Sequence, residues 1–267
     1  MSAAWMEIKA GTGDEMMKQV LCAGTWILVL AAGSVADGGE FWLGIRGGPG
    51  LPSLTGGGNE VSEGYSTVVT PNVGLVADYY LTGHWSVQVE ANYSVQGGER
   101  DGMQPITQSL PGLPPLPPGQ YFYADFRNRS VLTYLDIPVL AKYRGRLSER
   151  WRFFGEAGPY IGFLLKAEQE TSGASVVYAD RDGTTPLTPG PVSFKATTDV
   201  KDKLHDVTVG ITAGLGLAYM LAERHQVFLD IRGQYGLIPI QKDTDLNGDS
   251  HAGAVLFLLG YMYRFGG

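Results

Sequence analysis

From Trp85 to Gln96 the chain reads Trp-Ser-Val-Gln-Val-Glu-Ala-Asn-Tyr-Ser-Val-Gln, apolar or aromatic at every odd position and polar at every even one. Side chains two residues apart share a face only in an extended strand, so this strict period of two dictates a half-buried β-strand. Seven further segments follow the rule, some more loosely: residues 40–47, 68–82, 129–144, 151–167, 205–221, 226–238 and 252–265. Their odd face carries residues such as Leu43, Ile45, Leu75, Ile137, Phe163, Leu215, Leu229 and Leu259. Their even face carries Arg46, Asp78, Glu90, Asp136, Lys142, Arg144, Arg152, Glu156, Lys166, Asp206, Asp230, Arg232 and Arg264. Although 18% of all residues are charged, none falls on the apolar face of any of the eight segments.

Two architectures produce such segregation. A soluble barrel or sandwich turns the apolar face inward, whereas a membrane barrel turns it towards lipid, where a charge at mid-depth costs about 2–4 kcal/mol. The polar face separates them. It holds Gly, Asn, Gln, Ser and charges of both signs, not the excess of Lys and Glu over Gly that a solvent-facing surface carries. Aromatics gather near segment ends on the apolar face, among them Tyr79, Trp85, Tyr143, Trp151, Tyr219 and Tyr263, as an interfacial girdle requires. The connections also alternate: 82–84, 145–150 and 222–225 are short, while 48–67, 97–128, 168–204 and 239–251 are long. With an even number of strands, both termini and the short turns lie on the periplasmic side and the long loops face outward. The expected fold is all-β, an eight-stranded antiparallel up-and-down transmembrane β-barrel.

The N-terminal region reads as a targeting segment. Lys18, the apolar stretch Val20 to Ala32 and the small residues up to Ala36 compose a signal peptide over residues 1–36, cleaved after Ala36, with the barrel over residues 37–267. Glu7, Asp14 and Glu15 are foreign to an n-region, which leaves Met16 or Met17 as an alternative start and residues 1–15 as a misassigned upstream extension. Outside this region no run of about 18 apolar residues exists to form a transmembrane helix. The single cysteine, Cys22, follows no lipobox and excludes an internal disulfide framework. A net charge of −7 without a Lys/Arg tract excludes nucleic acid as a partner.

The segment Thr133-Tyr134-Leu135-Asp136-Ile137-Pro138-Val139-Leu140-Ala141-Lys142-Tyr143 resembles the hallmark strand of the porin-family outer-membrane β-barrel domain. Gly158-Pro159-Tyr160-Ile161-Gly162, Asp206 to Gly216 and Gly233-Gln234-Tyr235-Gly236-Leu237 fit the same family in order, so the resemblance spans roughly residues 40–265. Residues 257–265 resemble the C-terminal signal read by the outer-membrane assembly machinery, with two glycines after Phe265. The resemblance implies residence in the bacterial outer membrane, with outer-membrane lipid and that machinery as partners; a monomer is expected.

Eight strands leave an interior about wide enough for side chains to fill. Buried charges are tolerated when paired, so Glu90, Asp136, Lys142, Arg152, Glu156, Arg232 and Arg264 are the candidates for an internal ion-pair network. A filled polar interior points to a structural or surface-interaction role, with the four long loops offered to an extracellular ligand of unknown identity. A small-solute channel is the alternative. A lipid-modifying enzyme is the remaining rival, but His84 and His225 fall in periplasmic turns, and His251 beside Ser250 and Asp249 on one loop is not a triad. No enzyme is expected. Asp243, Asp245, Asn247 and Asp249 match the first half of a calcium loop, although Ala254 stands where a bidentate Glu belongs; calcium is the one cofactor these residues suggest. Pro138 and Pro159 each remove a ladder hydrogen bond and predict a bulge or local bend. The run Leu110 to Pro118 predicts a mobile polyproline segment.

Overall fold

The computed structural model describes residues 40–56, 60–107, 110, 112–117 and 119–266. The expected signal peptide, its cleavage at Ala36 and Cys22 lie outside the described residues. Eight long strands form the wall: β1 (Phe41–Thr55), β2 (Thr70–Tyr80), β3 (Trp85–Arg100), β4 (Arg127–Arg146), β5 (Trp151–Ser172), β6 (Val207–Ala222), β7 (His225–Gly236) and β8 (His251–Phe265). Each pairs antiparallel with the next, and β8 returns to β1 from Phe41↔Phe265 to Thr55↔His251. Closure gives each of the eight wall strands a hydrogen-bonded neighbour on both sides, as a lipid environment demands. Turn chemistry sits where the chain reverses. The Thr82 hydroxyl accepts from the His84 and Trp85 amides at 3.3 and 3.0 Å, and the Ser148 hydroxyl accepts from the Trp151 amide at 3.1 Å.

The two faces separate as the period of two requires. Ile45, Leu75, Leu215, Leu229 and Leu259 are exposed on the outer wall, and Leu215 keeps 72% of its surface accessible. Asp78, Glu90, Lys142 and Arg232 are buried inside, at 1–2% exposure. A soluble protein does the reverse, so the apolar belt is the lipid-facing surface. Trp85, Tyr143 and Phe153, and separately Trp151 and Tyr219, form edge-on and tilted ring contacts beside the short turns.

The prolines behave differently from expectation. The β4–β5 register is the same on both sides of Pro138 and Pro159, from Ile137↔Ile161 to Ala141↔Ala157. The ladder merely skips the rungs between them, because Val139 and Leu140 lie opposite Pro159 and Gly158. The bulge is elsewhere, between Thr133↔Lys166 and Tyr134↔Leu164, so Leu165 is the extra residue. Leu165 and Lys166 consequently both point outward while Leu164 and Ala167 are buried. Lys166, assigned by parity to the inner face, is thus turned outside, with its side chain 62% exposed.

Outside the wall the long loops pack on one another. A ribbon of Met103–Ile106 with Phe122–Asp125 and another of Ala174–Ser175 with Val192–Ser193 bring together Ile106, Ala124, Phe126, Val177 and Phe194. Tyr123 and Tyr178 exchange backbone hydrogen bonds of 2.9 and 2.8 Å, joining two different loops. The Tyr123 hydroxyl donates to Glu60 of a third at 2.8 Å, and burial together with that carboxylate pushes the phenol pKa up. Leu110 and Leu113, from the run read as mobile, pack on this cluster.

Candidate functional site

Inside the wall, side chains stack in three layers. Nearest the short turns lie Trp42, Val76, Tyr80, Phe154, Ala218, Phe228 and Met262, a buried apolar cluster. Nearest the loops lie Leu54, Leu132, Tyr134, Leu164, Ala167, Leu204, Ile240 and Ala252, a second one. Between them sit the charges. The polar interior expected from the sequence thus also holds two apolar clusters, one on each side of its charged layer. The apolar members stand on the same even face as the charges, at Trp42, Phe154, Phe228 and Met262; a face judged by its charges hides them.

Arg232 of β7 is the hub of the middle layer. Its guanidinium meets Glu90 of β3 at 2.9 Å, Asp230 at 2.7 Å, and Glu156 of β5. Arg46 of β1 lies 2.7 Å from Glu90 and 3.5 Å from Asp230, and donates to the Asn92 side-chain oxygen at 3.2 Å. Lys142 of β4 lies 3.2 Å from Glu156, donates to Gln88 at 2.8 Å, and stands 4.0 Å from Asp78. Arg144 reaches Asp78 at 3.6 Å. Four cations thus face four carboxylates from six strands. Charges taken from water in this way are tolerated because each finds counter-charge within the layer, and hydrogen bonds from Gln88, Asn92 and Arg232 to Glu90 and from Lys142 to Gln88 reinforce its centre. The network is also tied to the apolar layer below, since Lys142 lies 3.8 Å from the Phe154 ring centre and Arg144 lies 3.2 Å from that of Tyr80.

The structure brings together Glu90, Lys142, Glu156 and Arg232 of the seven candidates and adds Arg46, Asp78, Arg144 and Asp230. The added four share the even face, and their parity was the available signal; which acid meets which base depends on barrel stagger, which no single strand encodes. Three candidates stand apart. Arg152 and Arg264, at the periplasmic ends of β5 and β8, line an open vestibule of about 1060 Å³ below Trp42 and Tyr80, where Arg264 pairs with Glu40 at 3.0 Å. Asp136 is buried above the network, where its Oδ2 accepts from Gln234 at 3.0 Å and Gln96 at 3.4 Å; no ion pair reaches it among the described residues.

The calcium expectation finds no geometry to support it. Thr244–Asn247 winds into one helical turn, with the Asn247 amide donating to the Asp243 carbonyl, so Asp243, Asp245, Asn247 and Asp249 do not alternate along an extended loop. Among the described residues no three His, Cys, Asp or Glu side chains converge on a point. The histidines are placed by packing: His225 bonds the Tyr261 hydroxyl at 2.6 Å, and His251 stacks on Tyr235 with its Nδ1 3.0 Å from the Gly236 carbonyl.

The chain matches the outer membrane protein beta-barrel domain family over residues 35–242. No curated protein matches its sequence. Among solved structures it is similar to Neisserial surface protein A, with 10% identity, coverage of 86% of this chain and 100% of that one, and a TM-score of 0.41. Similar too are Ail, the attachment invasion locus protein of Yersinia pestis (14% identity, 85% and 97% covered, TM-score 0.37), and OprG of Pseudomonas aeruginosa (12%, 86% and 97%, 0.37).

Proposed function

The chain belongs to the outer membrane protein beta-barrel domain family of the bacterial outer membrane, and from that premise we propose that it is a closed, non-conducting, non-enzymatic barrel whose wall supports a surface for extracellular contact. The observation that carries the reading is the layered interior. An apolar cluster lies above the ion-pair layer and another lies below it. A hydrated ion crossing the lumen would have to displace Tyr80, Phe154 and Phe228, break the pairs around Arg232, and then part Leu132, Tyr134 and Leu164. An eight-stranded wall has no spare width for a path beside them. On the outside, interlocked loops give the ordered relief on which recognition is built. Planar-bilayer recording of the refolded barrel tests the proposal. It predicts a quiet baseline, and sustained channels of nanosiemens size would restore the small-solute pore as the better reading.

A further inference from the structure

On the outer wall the register sets one row across five strands: Trp85 of β3, Tyr143 of β4, Gly155 of β5, Leu215 of β6 and Ile231 of β7. Four of the five are large and exposed, Leu215 most of all. The fifth has no side chain. A Cβ placed on Gly155 would have for neighbours only a Leu215 methyl at 3.3 Å and the Gly214 carbonyl oxygen at 4.0 Å, so the wall is open above it. The next row towards the loops is low as well, with Ala141, Ala157 and Ala213 side by side on β4, β5 and β6. The two rows line one groove of about 770 Å³, walled by the large residues and floored by glycine and alanine. Glu156 also borders it, but its carboxylate points inward to Lys142 and Arg232. Four residues beyond Leu215 on β6, about 13 Å at the rise of a strand, Tyr219 packs on Trp151 at the periplasmic girdle. Arg150 stems from the rim of the vestibule, and its Nη1 donates to the Tyr219 hydroxyl at 3.3 Å, which sets the guanidinium on the girdle. No carboxylate pairs with that guanidinium among the described residues.

We propose that this groove seats one acyl chain of an anionic phospholipid of the inner leaflet, whose phosphate is held by Arg150 and the Tyr219 hydroxyl. The short turns mark the periplasmic side, so the groove lies at the depth of the inner-leaflet chains. Half of a hydrocarbon core is about 15 Å thick, so a headgroup at the girdle brings its chain alongside Gly155. A flexible chain conforms to a hollow in a lipid-facing wall. A second copy does not, because a two-fold dimer on this face would set hollow against hollow. The cation then selects among lipids. A guanidinium free of carboxylates makes paired bonds to a phosphate, and a headgroup without an amine of its own keeps the whole of that attraction. Seated there, the lipid completes the outer surface of the wall across β4, β5 and β6, where the side chains leave it thin.

The test uses the whole barrel, refolded into vesicles of equal parts phosphatidylglycerol and phosphatidylethanolamine and then released into mild detergent. Native mass spectrometry should find a phospholipid retained on the barrel, phosphatidylglycerol about fivefold over phosphatidylethanolamine. Gly155→Leu, which fills the groove from outside the sealed interior, should remove the adduct of either lipid while the folded band on unheated gels persists. Arg150→Gln should keep an adduct and level the preference. A second measurement leaves Gly155 in place. The emission of Trp85, taken as the difference between wild type and Trp85→Phe, should be quenched by brominated-chain phosphatidylglycerol at about fivefold lower mole fraction than by brominated-chain phosphatidylethanolamine. No retained phospholipid, an adduct unchanged by Gly155→Leu, a preference unchanged by Arg150→Gln, or equal quenching by the two lipids would overturn the proposal. Barrel dimers that Gly155→Leu dissolves would overturn it too, giving the groove to a second copy.

Discussion

Arg232 is the residue on which most of the interior charge depends. Replacing it with methionine would leave Glu90, Glu156 and Asp230 facing one another with only Arg46 and Lys142 to balance them. Stranding buried charge is costlier than never having buried it. Arg232→Met is therefore expected to destabilise the barrel by about 3–5 kcal/mol, read as the urea dependence of tryptophan fluorescence in lipid vesicles. Arg152→Met, in the open vestibule, should shift the same curve little; equal losses in both would deny that the network is the sealed element. On the loops, Asp180 shows the opposite regime. Its exposed carboxylate accepts from the Thr184 amide at 2.9 Å and hydroxyl at 3.1 Å, and from the Thr185 amide at 2.7 Å, which holds its pKa down at about 2. A depressed carboxylate supports the fold fully above its unfolded value near 3.9 and loses that support as pH falls through about 2. A carbon-detected NMR titration should therefore place the Asp180 midpoint close to 2, and a midpoint at the ordinary value would mean the turn is not closed in solution.

At the scale of the element, glycine and aromatic residues on adjacent strands act as one unit. Phe228 of β7 pairs directly with Gly260 of β8, and a Cβ at Gly260 would run into the Phe228 ring. Phe154 of β5 has the same relation to Gly216 of β6. Each ring lies flat on its neighbour strand because that strand offers no side chain, and this is how the wall accommodates wide aromatics in a narrow lumen. Gly260→Ala should cost about 1–3 kcal/mol by overpacking. Phe228→Leu in the same chain should recover part of it, and a double mutant no better than Gly260→Ala would disprove the contact. These pairs also show where sequence reading stops. The strict period of two placed all eight strands and their charge-bearing face, because side-chain alternation is local. It did not show which acid meets Arg232, nor that Phe228 lies on Gly260, because both follow from stagger between strands. It also misassigned Lys166, since one extra residue at Leu165 shifts which neighbours share its face, and nothing in Phe163-Leu164-Leu165-Lys166-Ala167 marks that insertion. Pro138 and Pro159 looked like the sites of irregularity, yet a missing amide removes a rung without moving the register.

For the whole molecule, the arrangement is a protein turned inside out, and a substitution scan can read that directly. Leu215 of β6 is the most exposed of the large apolar residues on the wall, whereas Leu221, six residues along the same strand, lies past Tyr219 beside a periplasmic turn and is 53% exposed. In water the two positions would be equivalent, and a charge at either would be welcome. In a membrane they differ, because Leu215 is held at the depth of the hydrocarbon and Leu221 lies beyond the aromatic contact of Trp151 with Tyr219. Leu215→Arg is accordingly expected to cost about 2–4 kcal/mol when the barrel is refolded into lipid vesicles, and Leu221→Arg about 0–1 kcal/mol. The comparison is internal to one strand, so strand propensity and expression affect both variants alike. Equal and small costs would mean that water, not lipid, surrounds the apolar belt. Equal and large costs would mean that the belt reaches past Tyr219, moving the periplasmic boundary towards the turn at Glu223 and Arg224.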